Sequence, residues 1–356
     1  MALRSLISQW YPPAPSFTEK DAPDQTGRVF LVTGGNAGIG LELCKLLYGT
    51  GATIYLASRS KVRTHYFTLG PFLMIEQALR SIQERAEKAI QTITSATPSP
   101  RNPGKITFLH LDLNDLVTVK AAAETFKAAE RRLDVLIHNA GMSPFAIEPF
   151  AKTAQGIEAM VGMHCVAPLV LTHHLLPSLR AATAQPIGGP ARVLWAGSIS
   201  AEFSSPENGI DFSHIETGFE DRATNYGVSK LGNWALAKEA ARRFGNNGIV
   251  SVAFNPGNVR AGTYEGLPAV TYFLMKTLVL SETKKGAYTE FFAALAPEVA
   301  EKKWNGSYIV PFGRLRDDDK SHRKDIIKAL KPVEEDGLGY ATRFWDWCVK
   351  KAGPYM

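Results

Sequence analysis

Cysteine is scarce in this chain: its three copies, Cys44, Cys165 and Cys348, lie far apart and show none of the paired spacings of a disulfide framework or a zinc site. Neither a stapled secreted scaffold nor a metal centre is expected, and a reducing, cytoplasmic setting follows. Long hydrophobic runs are missing as well. The most apolar stretch, AVTYFLMKTLVL, is short and carries Lys276, so it falls below the length of a bilayer-spanning helix. The opening residues, MALRSLISQWYPPAPSF, have no long apolar core and no small-residue cleavage site, so secretion is not read there. The net charge of +6 suits an anionic ligand, but no basic cluster or stacking platform accompanies it, which argues against nucleic acid.

What the chain does have is length and a globular composition. Its 356 residues are 45% hydrophobic and 21% charged, enough for a large core. Short β-rich apolar runs alternate with longer helical patterns: RVFLVT, TIYLAS, ITFLHLD, DVLIHNA, RVLWAGS, VSVAFN and SYIVP. That alternation predicts βαβ units, hence an α/β, Rossmann-like, doubly wound, seven-stranded parallel sheet with helices on both faces. Runs apolar throughout are expected to be buried on both sides. Helices are expected over about 38–48, 84–93, 116–129, a stretch ending near Leu176, 226–244 and a region after Gly266. Residues 1–27 read as an N-terminal extension to a single domain over 28–356, with about 260–300 as its substrate-binding region. Residues 62–83 fit neither neighbour. Removing them leaves an uninterrupted strand, turn and helix; their first residue is valine, their last glutamine, and they fill a whole number of codons, so a translated intron and a genuine insertion are both open readings.

Directly after the first strand comes TGGNAGIG. Gly34, Gly38 and Gly40 allow positive φ, a close approach of backbone to a pyrophosphate and tight helix–strand packing, while Asn36, Ala37 and Ile39 complete the turn. The following helix N-terminus receives negative charge. At the end of the second strand, where an acidic residue would hold the ribose of NAD, stand Ser58 and Arg59, with Lys61 beyond. An arginine there accommodates a 2′-phosphate, so NADP(H) is favoured over NAD.

Further along, NYGVSK sets Tyr226 and Lys230 four apart, on one face of a helix. An ammonium so placed favours phenolate over phenol and fits the tyrosine to pass protons. Taken alone, the pair reads more readily as ordinary helix decoration.

Together, TGGNAGIG, LDLND, HNAG, the serine of WAGSIS, YGVSK and NPGNV resemble the short-chain dehydrogenase/reductase family, in its retinol-dehydrogenase-like branch, from about Gln25 to Val310. The resemblance implies that Asp112 and Leu113 border the adenine, and that Asn139, Ala140 and Gly141 lie against the adenosine side. Asp112 reads equally as a helix cap, a task open to Asn114 or Asp115 too. The resemblance further implies that Ser198 bonds the substrate oxygen, with Ser200 as a rival. Tyr226 exchanges the proton, Lys230 lowers the tyrosine pKa and holds the nicotinamide ribose, and Pro256, Gly257 and Val259 lie beneath the nicotinamide. The segment between Ser198 and Tyr226 is expected to loop over the substrate side.

Three positions depart from the family pattern. His138 and His164 stand where asparagines are usual, the second of them the asparagine that fixes a relay water, and Ala261 replaces a threonine, with Thr263 nearby. His164 reads either as a substitute in the relay or as a core residue. The implied activity is hydride transfer between NADP(H) and an apolar ketone or secondary alcohol. The apolar stripe after Gly266 reads as substrate wall, core packing or the contact of a homodimer. An NADP-binding sensor or scaffold without turnover is the competing function.

Overall fold

The computed structural model describes residues 7–59, 84, 87–96, 102–264 and 268–356. Lys61 and the segment 62–83 lie outside the described residues. All seven expected runs form strands: β1 (Val29–Thr33), β2 (Thr53–Ser58), β3 (Lys105–His110), β4 (Val135–His138), β5 (Ala191–Ala196), β6 (Ile249–Phe254) and β7 (Tyr308–Val310). They pair in parallel in the order β3-β2-β1-β4-β5-β6-β7. The count of seven needs correction, because a two-residue strand, β8 (Arg314–Leu315), pairs antiparallel with β7 and makes the sheet eight-stranded. Two residues closing a tight turn carry no periodicity that a sequence reading could detect.

The longer helices among the described residues are α1 (Gly38–Tyr48), α2 (described over 87–96), α3 (Leu116–Ala129), α4 (Ala159–Ala184), α5 (Arg222–Phe244), α6 (Ala269–Leu278), α7 (Thr283–Leu295), α8 (Lys324–Leu330) and α9 (Tyr340–Ala352). One apolar layer joins α3, α4, α5 and α9 to one face of the sheet, and a second joins α1 and α7 to the other. Burial on both faces is why β1, β4, β5 and β6 are buried along their whole length. Helix α4 is long and apolar enough to cross a bilayer by composition, but 83% of its most apolar window is buried inside the protein, as befits a core helix.

The strand order reverses between β1 and β4, which opens a crevice at their carboxyl ends. Two local devices shape its rim. Asp221 caps α5, its carboxylate accepting from the Ala223 and Thr224 backbone N–H groups, and so sets Tyr226 and Lys230 on successive turns facing inward. In α4, Pro168 has no N–H to offer, and the ladder widens into a π-turn over Gly162–Val166 that carries His164.

The N-terminal stretch is not loose. Phe17 packs against Phe291 and Phe292 of α7, Glu19 meets Lys284 and Tyr288, and the Asn255 amide donates to Gln9.

Candidate functional site

The crevice holds a cavity of about 580 Å³ whose wall begins at the glycine turn. Gly34 has φ +71°, and Gly40 lies so close beneath it that a Cβ there would stand 2.5 Å from the Gly34 carbonyl oxygen and from the Asn139 amide nitrogen. Asn139 in turn donates to the Thr33 carbonyl, and the Ala140 N–H donates to Thr33 Oγ1. These bonds bind the turn to the end of β4. Ala37, at the N-cap of α1, offers no side-chain bond, and the first turn has no acidic residue. The uncapped N–H groups of α1 therefore face the cavity, a ready site for an anion.

At the far end Ser58, Arg59, Asp112 and Leu113 line the wall, and the Arg59 guanidinium lies 3.8 Å from the Asp112 carboxylate. Asp115 is the residue that caps α3, accepting from Val117 N at 3.0 Å, so Asp112 is left to face the cavity.

At the near end stand Tyr226 and Lys230. The lysine ammonium is 5.4 Å from the centre of the tyrosine ring and donates to the Ala196 carbonyl at 3.2 Å. It is buried, and desolvation pulls its pKa down from 10.5 to about 8. Gly141 borders Lys230 and His164, since a Cβ there would lie 3.2 Å from Lys230 Nζ and 3.5 Å from His164 Nε2.

His164 is wholly committed. Its Nε2 accepts from the Met142 backbone N–H at 3.0 Å, and its Nδ1 lies 2.9 Å from Ser229 Oγ, which donates to the Tyr226 carbonyl. Both bonds demand the same tautomer, with the proton on Nδ1. Burial, aided by the nearby Lys230 charge, holds its pKa well below 6.5. His138 is likewise a neutral interior group: Nε2 meets Thr172 Oγ1 at 2.8 Å, and burial lowers its pKa to about 3.

Of the expected cofactor residues, Gly34, Asn36–Ile39 and Pro256 also border the cavity, whereas Gly40, Gly257 and Val259 do not. Gly40 and Val259 serve from behind: Val259 pairs with Ser281 in an isolated bridge and buttresses α7 at Gly286. Ser198 stands half-buried just past the lining residues Ala196 and Gly197, its Oγ accepting from Ser200 N at 3.2 Å. Tyr308 fixes this strand end, its hydroxyl donating to the Ser198 carbonyl.

The segment after Ser198 differs from expectation. None of residues 199–225 lines the cavity, because Ile210 and Ile215 are drawn into the core and Arg323 ties down the carbonyls of Glu202, Ser205 and Pro206. The region expected to bind substrate also divides. α7 is a core helix, whereas α6 has no buried residue and, with Arg260, Tyr264 and α1, frames a second, adjoining cavity of about 690 Å³.

Sequence reasoning missed Met142 and Met163, which wall the Tyr226 end, and Glu290, which reaches the floor from α7. The signal for Glu290 was a single acid at helical spacing from Gly286 and Ala294 in an otherwise apolar stretch.

A family model described as Enoyl-(Acyl carrier protein) reductase matches residues 75–296. A short-chain dehydrogenase/reductase of Pestalotiopsis fici, iacJ, is 43% identical over 351 residues, covering 98% of this chain and 98% of its own. The chain belongs to the short-chain dehydrogenase/reductase family. Among solved structures the fold is similar to a Pseudomonas aeruginosa RhlG/NADP active-site complex, with TM-score 0.56 at 19% identity over 82% of this chain and 96% of that one. It is also similar to an NADPH-bound carbonyl reductase from chicken fatty liver, with TM-score 0.53 at 20% identity over 82% and 99%. Both likenesses concern the fold.

Proposed function

We propose that this short-chain dehydrogenase/reductase is an NADPH-dependent oxidoreductase acting on an apolar ketone or the corresponding secondary alcohol, with Ser198, Tyr226 and Lys230 as its catalytic residues. The observation that carries the reading is the pairing of Tyr226 with a buried lysine at one end of a cavity whose other wall is a glycine turn and an uncapped helix N-terminus. The residues fit a dinucleotide: Gly34 and Gly40 leave room for backbone contact, α1 offers N–H donors to a diphosphate, and Arg59 offers a cation to a 2′-phosphate.

When bound, the nicotinamide supplies or accepts the hydride. The protein's share is the oxygen site and the proton. Ser198 and Tyr226 hold the substrate oxygen by hydrogen bonds, Tyr226 gives its phenolic proton as the carbonyl becomes an alcohol, and the Lys230 charge stabilises the phenolate left behind. Met142, Met163 and Ala146 make the wall beside Tyr226 apolar, which supports an apolar substrate.

The test is a panel of apolar ketones offered with NADPH to the purified protein. Consumption of NADPH by wild type is expected, with Tyr226→Phe losing about 10²–10⁴-fold in turnover while its affinity for NADPH stays nearly unchanged. Binding of NADPH without consumption across a broad panel would favour a sensor.

A further inference from the structure

One group in the cavity has no task in the reaction above. Glu290 lies in the middle of α7 among Phe291, Phe292 and Ala294 and has no exposed surface, yet it lines the same cavity as the glycine turn and Lys230. Neither of its carboxyl oxygens has a hydrogen-bond partner among the described residues. A buried polar group left unpaired is costly, so an arrangement of this kind calls for an occupant. The packing explains its aim. Gly286, one turn earlier on the same face, lets α7 close on the glycine-turn helix; a Cβ there would come within 3.4 Å of Ile39 and 3.1 Å of Val259. Glu290 is thereby set at the floor of the cavity.

Among the described residues, the titratable groups that face it are Lys230 from α5 and the Cys44 thiol from α1. Strands β5 and β6 contribute apolar side chains, Leu194, Val252 and Phe254, to the layer beneath α7. Desolvation raises the Glu290 carboxyl from 4.5 to about 8 against the opposing pull of Lys230. At neutral pH it is therefore an acid with one O–H to give. A dinucleotide lying on the glycine turn is rich in acceptor oxygens, those of its diphosphate, riboses and carboxamide. An ionised carboxylate would repel the diphosphate, whereas a neutral one complements these acceptors.

We propose that Glu290 is a further cofactor-binding residue, whose neutral carboxyl donates a hydrogen bond to an acceptor oxygen of the bound dinucleotide. The inference rests on the dinucleotide reading of the cavity. Ionisation removes the donor and adds a repelling charge, so affinity falls as the carboxyl titrates, about tenfold per pH unit beyond its pKa.

NADPH titrations of the full-length wild type, Glu290→Gln and Glu290→Met, followed by fluorescence from pH 7 to 9.5, test this. The glutamine amide donates at every pH and carries no charge. Its Kd at pH 7 is expected within about threefold of wild type, and the ratio of wild-type Kd to that of Glu290→Gln should climb about tenfold or more by pH 9.5. Both proteins retain Lys230, so its own titration acts on both Kd values and the ratio reports the change made at position 290, including its pull on Lys230. Glu290→Met, with no donor, should bind about tenfold more weakly at pH 7. A ratio flat across the range overturns the inference, as does a wild-type affinity that strengthens with pH, which would make the carboxylate the binding form. Should Glu290→Gln fail to fold, the infrared difference spectrum of wild type on adding NADPH decides. A perturbed protonated-carboxyl band is expected, and its absence overturns the inference. If wild type binds no NADPH at pH 7, the dinucleotide reading itself fails and takes the inference with it; a flat ratio with tight binding sinks only the role of Glu290.

Discussion

His164 is where the residue-level chemistry of this site departs furthest from the family pattern, and two hydrogen bonds limit what it can do. With Nε2 accepting from Met142 and Nδ1 donating to Ser229, neither ring nitrogen is free to hold a relay water without breaking a bond to the protein. The histidine steadies the Met142 backbone beside the cavity and the turn of α5 between Tyr226 and Lys230. These are the bonds of a buried core residue, one of the two readings that the sequence left open. An asparagine can replace one of its bonds, so His164→Asn is expected to keep turnover within about tenfold of wild type. His164→Leu leaves the Met142 N–H and the Ser229 hydroxyl short of a partner, at a cost of about 1–3 kcal/mol in stability. Steady-state kinetics beside urea unfolding checks both; complete loss of turnover in the asparagine variant would show that the imidazole does chemistry of its own.

At the scale of the element, legibility followed periodicity. Helices α1 and α3 and all seven parallel strands were readable because each is a local pattern: a short β-rich run, buried on two faces in β1, β4, β5 and β6 and largely open in β3, or an amphipathic stretch opened by a glycine turn or an Asp cap. The π-turn in α4 was not, since its cause is one missing proline N–H and its effect is felt four residues earlier. Nor was the inward course of residues 199–221, which depends on Arg323, more than a hundred residues away in sequence. The glycine turn shows how much an element can hang on one position. Any side chain at Gly40 meets the Gly34 carbonyl oxygen and the Asn139 amide that ties β1 to β4, and the amide cannot retreat without breaking its bond to Thr33. Gly40→Ala is thus expected to cost about 1–3 kcal/mol by overpacking and to weaken NADPH binding by at least about tenfold through the displaced turn. Unchanged affinity by calorimetry would show that this turn does not carry the cofactor.

For the molecule as a whole, the parts of the site that escaped the sequence are those brought in by packing between distant elements. Met142, Met163 and Glu290 carry no motif, and Gln9, bonded across 246 positions to Asn255, gave no sign that the first residues close on the body of the fold. The same packing buries ionisable groups of opposite habit, and their balance sets how stability varies with pH. His138, held at about 3, and His164, held well below 6.5, stay neutral in the fold while the unfolded chain protonates them, so together they make stability rise with pH up to about 6.5. Glu290 acts the other way. Folded, it keeps its proton to about 8; unfolded, it releases it near 4.5, so it makes stability fall with pH across that window. Below 6.5 His138 and His164, joined by the more exposed His173, outnumber Glu290 and Glu158, whose carboxyl burial also raises; between 6.5 and 8 Glu290 acts without the histidines. The thermal midpoint is accordingly expected to peak near pH 6.5 and to decline toward pH 8, and Glu290→Gln should abolish that decline while leaving the acid limb in place. Scanning calorimetry of both proteins over pH 5–8 measures it, and a decline of equal size in the glutamine variant would mean that Glu290 is not the group holding its proton inside the fold.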